Sequence, residues 1–161
     1  MEDLKTAAWM VRYAARSFAH NLGFIPEERA RWKPEPAAKS PIEIAAEAIR
    51  VLRMYRPIFD GPEFPKAPPP APSPDTLGEA GNLLLAAAED YAAALEAAGP
   101  ELNRPQPMPF GGTFRAYRAA CFPLMDLFNH HGQILYLQSI LGDAEMHWDE
   151  AAIADEFAWP D

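Results

Sequence analysis

A single cysteine, Cys121, occurs in 161 residues. No internal disulfide can form, and a reducing compartment fits. Basic charge is also scarce. The chain has 14 Lys and Arg against 23 Asp and Glu, a net charge of -9 and a pI of about 4.9. Nucleic acids and anionic membranes are bound by basic faces, so neither is expected as a partner. No run of about 18 apolar residues exists, so no transmembrane helix is expected. The opening "MEDLKTAAWMVRYAARSF" lacks a basic stretch followed by a pure apolar core, so no signal peptide is expected either. A cytoplasmic protein is the reading that results. No period-2 strand pattern and no internal repeat stand out. A hydrolase elbow, a P-loop and a dinucleotide fingerprint are missing, since "GEAGNL" lacks the preceding strand and the third glycine.

What is present in quantity is apolar surface and proline. Hydrophobic residues make up 49%, enough to bury a core in a chain of one-domain size. Of the 18 prolines, none falls in residues 1–25, 42–56 or 75–99. Proline lacks the N–H and clashes with the preceding turn of a helix. The proline-free windows are therefore helix candidates, and the clusters in 57–74 and 100–112 are connectors.

Leu4, Ala8, Val11, Ala15, Phe18 and Leu22 repeat at three and four, one face of a first helix that stops at Gly23. "IPEERARW" reads as a short helical turn. "SPIE" starts the second helix, with Ser40 as N-cap, Pro41 at the first position and Glu43 closing a capping box. Its stripe is Ile44, Ala48, Val51, Tyr55 and Ile58, and Glu47 lies on or beside that stripe. "FDGPEFPKAPPPAPS" is extended and polyproline-like. The third helix is expected from Ser73-Pro74 to about Ala98, with Leu77, Leu84, Leu85, Ala88, Tyr91 and Leu95 inward. Thr113 is the expected N-cap of a fourth helix over 113–141. Its stripe is Phe114, Tyr117, Cys121, Leu124, Phe128 and Leu135, with a kink or split at Pro123 and a stop at Gly142. The tail, 143–161, reads as one short helix carrying Trp148 and Phe157. The fold class expected is all-α: a single domain over 1–161 holding a four-helix bundle with long Pro-rich connectors.

Within "MDLFNHHGQILYLQSILG" a polar knot interrupts the apolar residues. Asp126 and His130 are four apart, so they share a helix face, and Gln133 continues the line. A carboxylate and an imidazole at this spacing offer two ligands to one metal ion, although the spacing also arises in plain helix-stabilising pairs. An acid on another helix's apolar stripe is costly unless paired or coordinated. If the second and fourth helices are neighbours, Glu47, Asp126 and His130 converge as a three-ligand site with open positions. Otherwise Glu47 reaches water at the edge of its stripe. His131 points about 100° away and reads as packing or surface. His20 and His147 read as surface, the four tryptophans as core or interface anchors, and Cys121 as buried and inert.

"HHGQILYLQSILGD" resembles the closing helix of the DinB/YfiT-like superfamily, with its Gly-Gln followed by apolar residues, Leu and Gly. "RWKPEPAAKSPIEIAAEAI" is similar to the family's Trp-x-Pro, loop and Ser-initiated second helix. "PFGGTFRAY" is similar to the entry into its last helix. The resemblance covers most of the chain in the right order. It implies an up-down-down-up four-helix bundle, a homodimer, and a divalent metal held by three histidines. Only His130 matches those three. Asp126 stands four residues before it, and Glu47 stands where the helix-two histidine falls. Both replacements are acids able to ligate metal. Oxygen donors shift the preference from zinc toward manganese, iron or magnesium-like ions, so the cofactor expected is Mn, Fe, Ni or Zn, or none. The activity implied is that of a thiol-dependent transferase or isomerase acting on a small-molecule or thiol substrate. The alternative is a metal-free helical binding or structural dimer, with the same residues forming a hydrogen-bonded cluster.

Overall fold

A computed structural model of the chain describes residues 2–64 and 67–150. Its elements are α1 (Glu2–Leu22), α2 (Pro41–Tyr55), α3 (Leu77–Ala97), β1 (Pro105–Pro107), β2 (Thr113–Arg115), α4 (Ala116–Ala119) and α5 (Phe122–Ile140). Short 3₁₀ turns lie at Glu27–Arg29, Arg56–Phe59 and Pro100–Asn103. The molecule is mostly helical with one small sheet, so the all-α expectation holds broadly. α1 packs on α3 and α5, and α2 packs on the same two helices.

The apolar stripe of α1 is buried along its whole length, from Leu4 to Leu22. α2 begins as its capping box dictates. Ser40 Oγ accepts from the Glu43 N–H at 3.4 Å, and the Glu43 carboxylate accepts from the Ser40 N–H at 2.8 Å. Two of the free donors at the helix start are thereby satisfied. Ile44, Ala48, Tyr55 and Ile58 are buried as expected, and Val51 is half-buried.

α3 starts later than Ser73-Pro74. Thr76 is its N-cap, accepting from the Glu79 N–H at 3.1 Å. Pro74 stays in the connector, where its carbonyl accepts from Arg31. Leu85 is exposed rather than inward, because the buried face of α3 runs through Leu77, Leu84, Ala88, Tyr91 and Leu95. The Tyr91 hydroxyl crosses to the Ala120 carbonyl at 2.8 Å.

The largest departure lies at residues 105–121. Thr113 is a strand residue, not a helix cap: β1 and β2 pair antiparallel with Gln106 opposite Phe114. Gly111 and Gly112 both take positive φ, at 94° and 84°, which lets the chain reverse between them. The break expected near Pro123 is present: α4 and α5 are separated at Ala120 and Cys121, with Pro123 in the first turn of α5. The inward face of α5 is also rotated from the expected stripe. Pro123, Leu127, His130, Ile134, Leu137 and Gln138 are buried, while Phe114 and Phe128 are exposed. This helix is apolar almost all round, so spacing alone does not select its buried face. α5 ends at Gly142 with φ 98°: Gly142 N–H bonds to the Ser139 carbonyl and Asp143 N–H to that of Gln138. That is the Schellman arrangement.

Residues 143–149 are not helical. The rest of the expected C-terminal helix, with Phe157 and Trp159, lies outside the described residues. No helix of the described residues is long and apolar enough to cross a membrane.

Candidate functional site

α2 and α5 pack side by side, and the rotation of α5 turns the polar knot inward. His130 is only 4% exposed. Its Nδ1 lies 3.0 Å from Gln133 Oε1. A carbonyl oxygen only accepts, so Nδ1 carries the hydrogen and donates it. In the neutral ring this leaves the lone pair on Nε2.

Both acids anticipated from the sequence face that nitrogen. Asp126 Oδ1 is 3.4 Å from His130 Nε2, and Glu47 Oε2 is 3.7 Å from it. The Asp126 carboxylate comes from one turn earlier on α5, and the Glu47 carboxylate crosses from α2. Neither contact is aligned as a hydrogen bond. His130 Nε2 and Asp126 Oδ2 are both buried without a hydrogen-bond partner among the described residues. A buried polar atom left unpaired is costly. Here a lone pair and two carboxylates converge, an arrangement that attracts a proton or a cation.

The positive charge nearest to hand is Lys39, whose ammonium pairs with Glu47 Oε2. Asp126 is pushed up from the ordinary carboxylate range by burial, against the opposing pull of His130, Lys39 and Arg50. Its charge in turn helps burial raise the Tyr55 hydroxyl, with burial the larger cause.

Two donors each about 2.1 Å from a tetrahedral ion stand about 3.4 Å apart. The Asp126–His130 separation has that value, and the Glu47–His130 separation is a few tenths of an ångström longer. The partner hydrogen bond from Nδ1 to Gln133 is the kind that orients a ligating histidine. The donor set therefore fits a divalent ion chemically. Among the described residues, however, no group of three His, Cys, Asp or Glu side chains is already gathered as a metal cluster.

The remaining histidines have partners of their own. His131 is half-buried and stacks on Phe18 of α1, with Asn21 Nδ2 3.2 Å from its Nε2. Burial holds its pKa down. His147 is more covered than a surface histidine. Its ring lies on Phe24 at 3.6 Å between centroids, and its Nε2 is 2.7 Å from Asp143 Oδ2. Cys121 is half-buried against the Tyr117 carbonyl, and burial raises its thiol. Trp9 stacks on Tyr13, Trp32 packs on the core and Trp148 is exposed.

Lys39 and Arg50 are the site residues that sequence reading missed. Lys39 is in the loop before the α2 cap, where no periodicity speaks. Arg50 did carry a signal: it is three residues after Glu47, on the same helix face. Compared with protein-family models and with curated proteins, the chain matches none.

Proposed function

We propose that this chain is a DinB-like protein, an up-down-down-up four-helix bundle that binds a divalent metal through Glu47, Asp126 and His130. The observation that carries the reading is the orphaned, buried Nε2 of His130, oriented by Gln133 and faced by two carboxylates. The pairing of α1 and α2 each with α3 and α5 is compatible with such a bundle. Manganese, iron, nickel and zinc are the candidate ions, with oxygen donors favouring the harder ones. Such an ion, when bound, lowers the pKa of a thiol or water. That chemistry suits a thiol-dependent transferase or isomerase acting in the cytoplasm, as a homodimer, on a small-molecule or thiol substrate. His130 supplies the fixed nitrogen, Gln133 holds the ring, and the two acids balance charge.

A second reading has its own observation. Lys39 already pairs with Glu47, and a protonated His130 would satisfy both acids with no metal. The chain is then a metal-free helical binding protein or structural dimer.

Plasma mass spectrometry on untagged protein, before any chelator, separates the two. The expected result is near-stoichiometric divalent metal, lost in His130→Ala with the helical signal retained. If Glu47→Ala and Asp126→Ala both leave metal content unchanged, the site is wrong. Under the second reading, His130→Ala mainly costs stability, about 1–3 kcal/mol for the partners left unpaired.

A further inference from the structure

Glu47 faces His130 on one side and lines an open groove on the other. The groove has a volume of about 420 Å³ and lies between the loop leading into α2, the exposed face of α2 and the connector around Pro72. Four cations reach it: Arg31, Lys33, Lys39 and Arg50. Among the described residues, only Glu43 and Glu47 answer them within its walls. A chain of net charge -9 thus gathers an excess of positive charge at one concave place. Like charges held together favour a counter-anion.

Three of the four cations are engaged. Arg31 donates to the Pro74 carbonyl at 3.2 Å, Lys33 pairs with Glu43 at 2.8 Å, and Lys39 pairs with Glu47. These contacts fix the walls. So do the Leu77 N–H on the Glu27 carboxylate and the Ile42 N–H on the Ala30 carbonyl. Arg50 is different. It is half-buried at the groove with no hydrogen-bond or ion-pair partner among the described residues. A guanidinium offers a planar fork of donors matched to carboxylate or phosphate oxygens. The remaining wall is small and apolar, with Ala37, Ala46, Ala71 and Pro72 leaving room for the body of a ligand.

We propose that this groove binds a small organic anion, its carboxylate or phosphate group held by Arg50 with Lys39 beside it. The charge of Arg50 also reaches Asp126, so the anion would sit next to the Glu47–Asp126–His130 centre. A divalent ion drawing Glu47 away would free the Lys39 ammonium for the same anion. This placement as substrate rests on the metal reading; binding of the anion does not.

The test is a two-dimensional NMR titration of metal-stripped protein at low salt with inorganic phosphate and, separately, succinate. Saturable shifts are expected at the Arg50 side-chain N–H and in residues 31–50, and the tighter probe tells phosphate from carboxylate. Arg50→Ala should weaken binding at least about tenfold, the loss of one charge-assisted contact. Arg50→Lys should keep part of the affinity. Arg53→Ala, exposed one turn on and outside the groove, should keep all of it. No saturable shift with either probe, or equal losses in the Arg50 and Arg53 variants, overturns the proposal. Metal content measured on the same preparations before stripping keeps the two ideas apart. Anion binding without metal refutes only the metal centre, and metal without anion binding refutes only the groove.

Discussion

Asp126 is an acid whose burial works against its own charge. Its folded pKa lies above the unfolded value of about 3.9. Its contribution to stability is therefore complete below that value and is lost as the pH rises through the raised folded pKa. At a pH above that folded value the metal-free protein keeps an unfavourable carboxylate in place. Asp126→Asn should raise the urea midpoint of the metal-free protein at that pH and weaken its hold on added manganese or zinc. A lowered midpoint would instead show that the carboxylate is held by a charged His130, as in the metal-free reading. Asp126 and His130 were legible because i and i+4 spacing fixes a shared face whatever the tertiary structure. Glu47 was legible because an acid on an apolar stripe asks for a partner. The partner that the structure supplies, Lys39, was not, since a loop lysine eight residues away has no period to betray it.

α2 carries Glu47 two turns beyond its cap, so the cap fixes where that carboxylate points. Ser40→Ala should cost about 1 kcal/mol in denaturant unfolding. Glu43, the other half of the box, is held below the ordinary range first by Lys33 and then by the Ser40 N–H. A depressed carboxylate stabilises above its unfolded pKa, and that stability is lost as the pH falls through the folded value. The wild type should therefore weaken from about pH 4.3 downward more than Glu43→Gln does, as read by circular dichroism melts across pH 2–6. If the two fall in parallel, the box contributes no charge-dependent stability. The start of α2 could be read to the residue because caps are local chemistry. The β1–β2 hairpin could not: two of the three residues of β1 are proline, which argues against strand. Its pairing comes from the Gly111-Gly112 reversal. The buried face of α5 was misjudged because Phe128 and Leu135 look as apolar as Leu127 and Ile134, and only the packing of α1 and α2 against the helix chooses between them.

Across the molecule, α1 is tied to α3 by one guanidinium. Arg12 reaches both oxygens of Glu89, at 2.7 and 2.9 Å, and both of Glu96, at 2.6 and 3.0 Å. The pairing keeps both acids well ionised. All three groups are partly exposed, so the network is worth no more than about 1 kcal/mol. Arg12→Met should lose about that much at low salt and almost none of it in 1 M NaCl, where screening acts over about 3 Å. A salt-independent loss would mean that the packing of the arginine stem matters more than its charge. By contrast Leu127→Ala, at a side chain with no exposure, should cost about 2–5 kcal/mol whatever the salt.

The turn at Gly142 has a consequence of another kind. It sends Asp143 to Asp149 back toward the first helix, where His147 covers Phe24, the Asn21 amide donates to the His147 carbonyl, and Arg16 meets Asp149 at 3.8 Å. The segment is thus a cover for the seam between the first and last long helices. Shed by a protease, it would bare the rest of Phe24, which like Phe128 is already 42% exposed. Its loss would then register as colloidal behaviour, in clumping and sticking to surfaces, before it registered in melting.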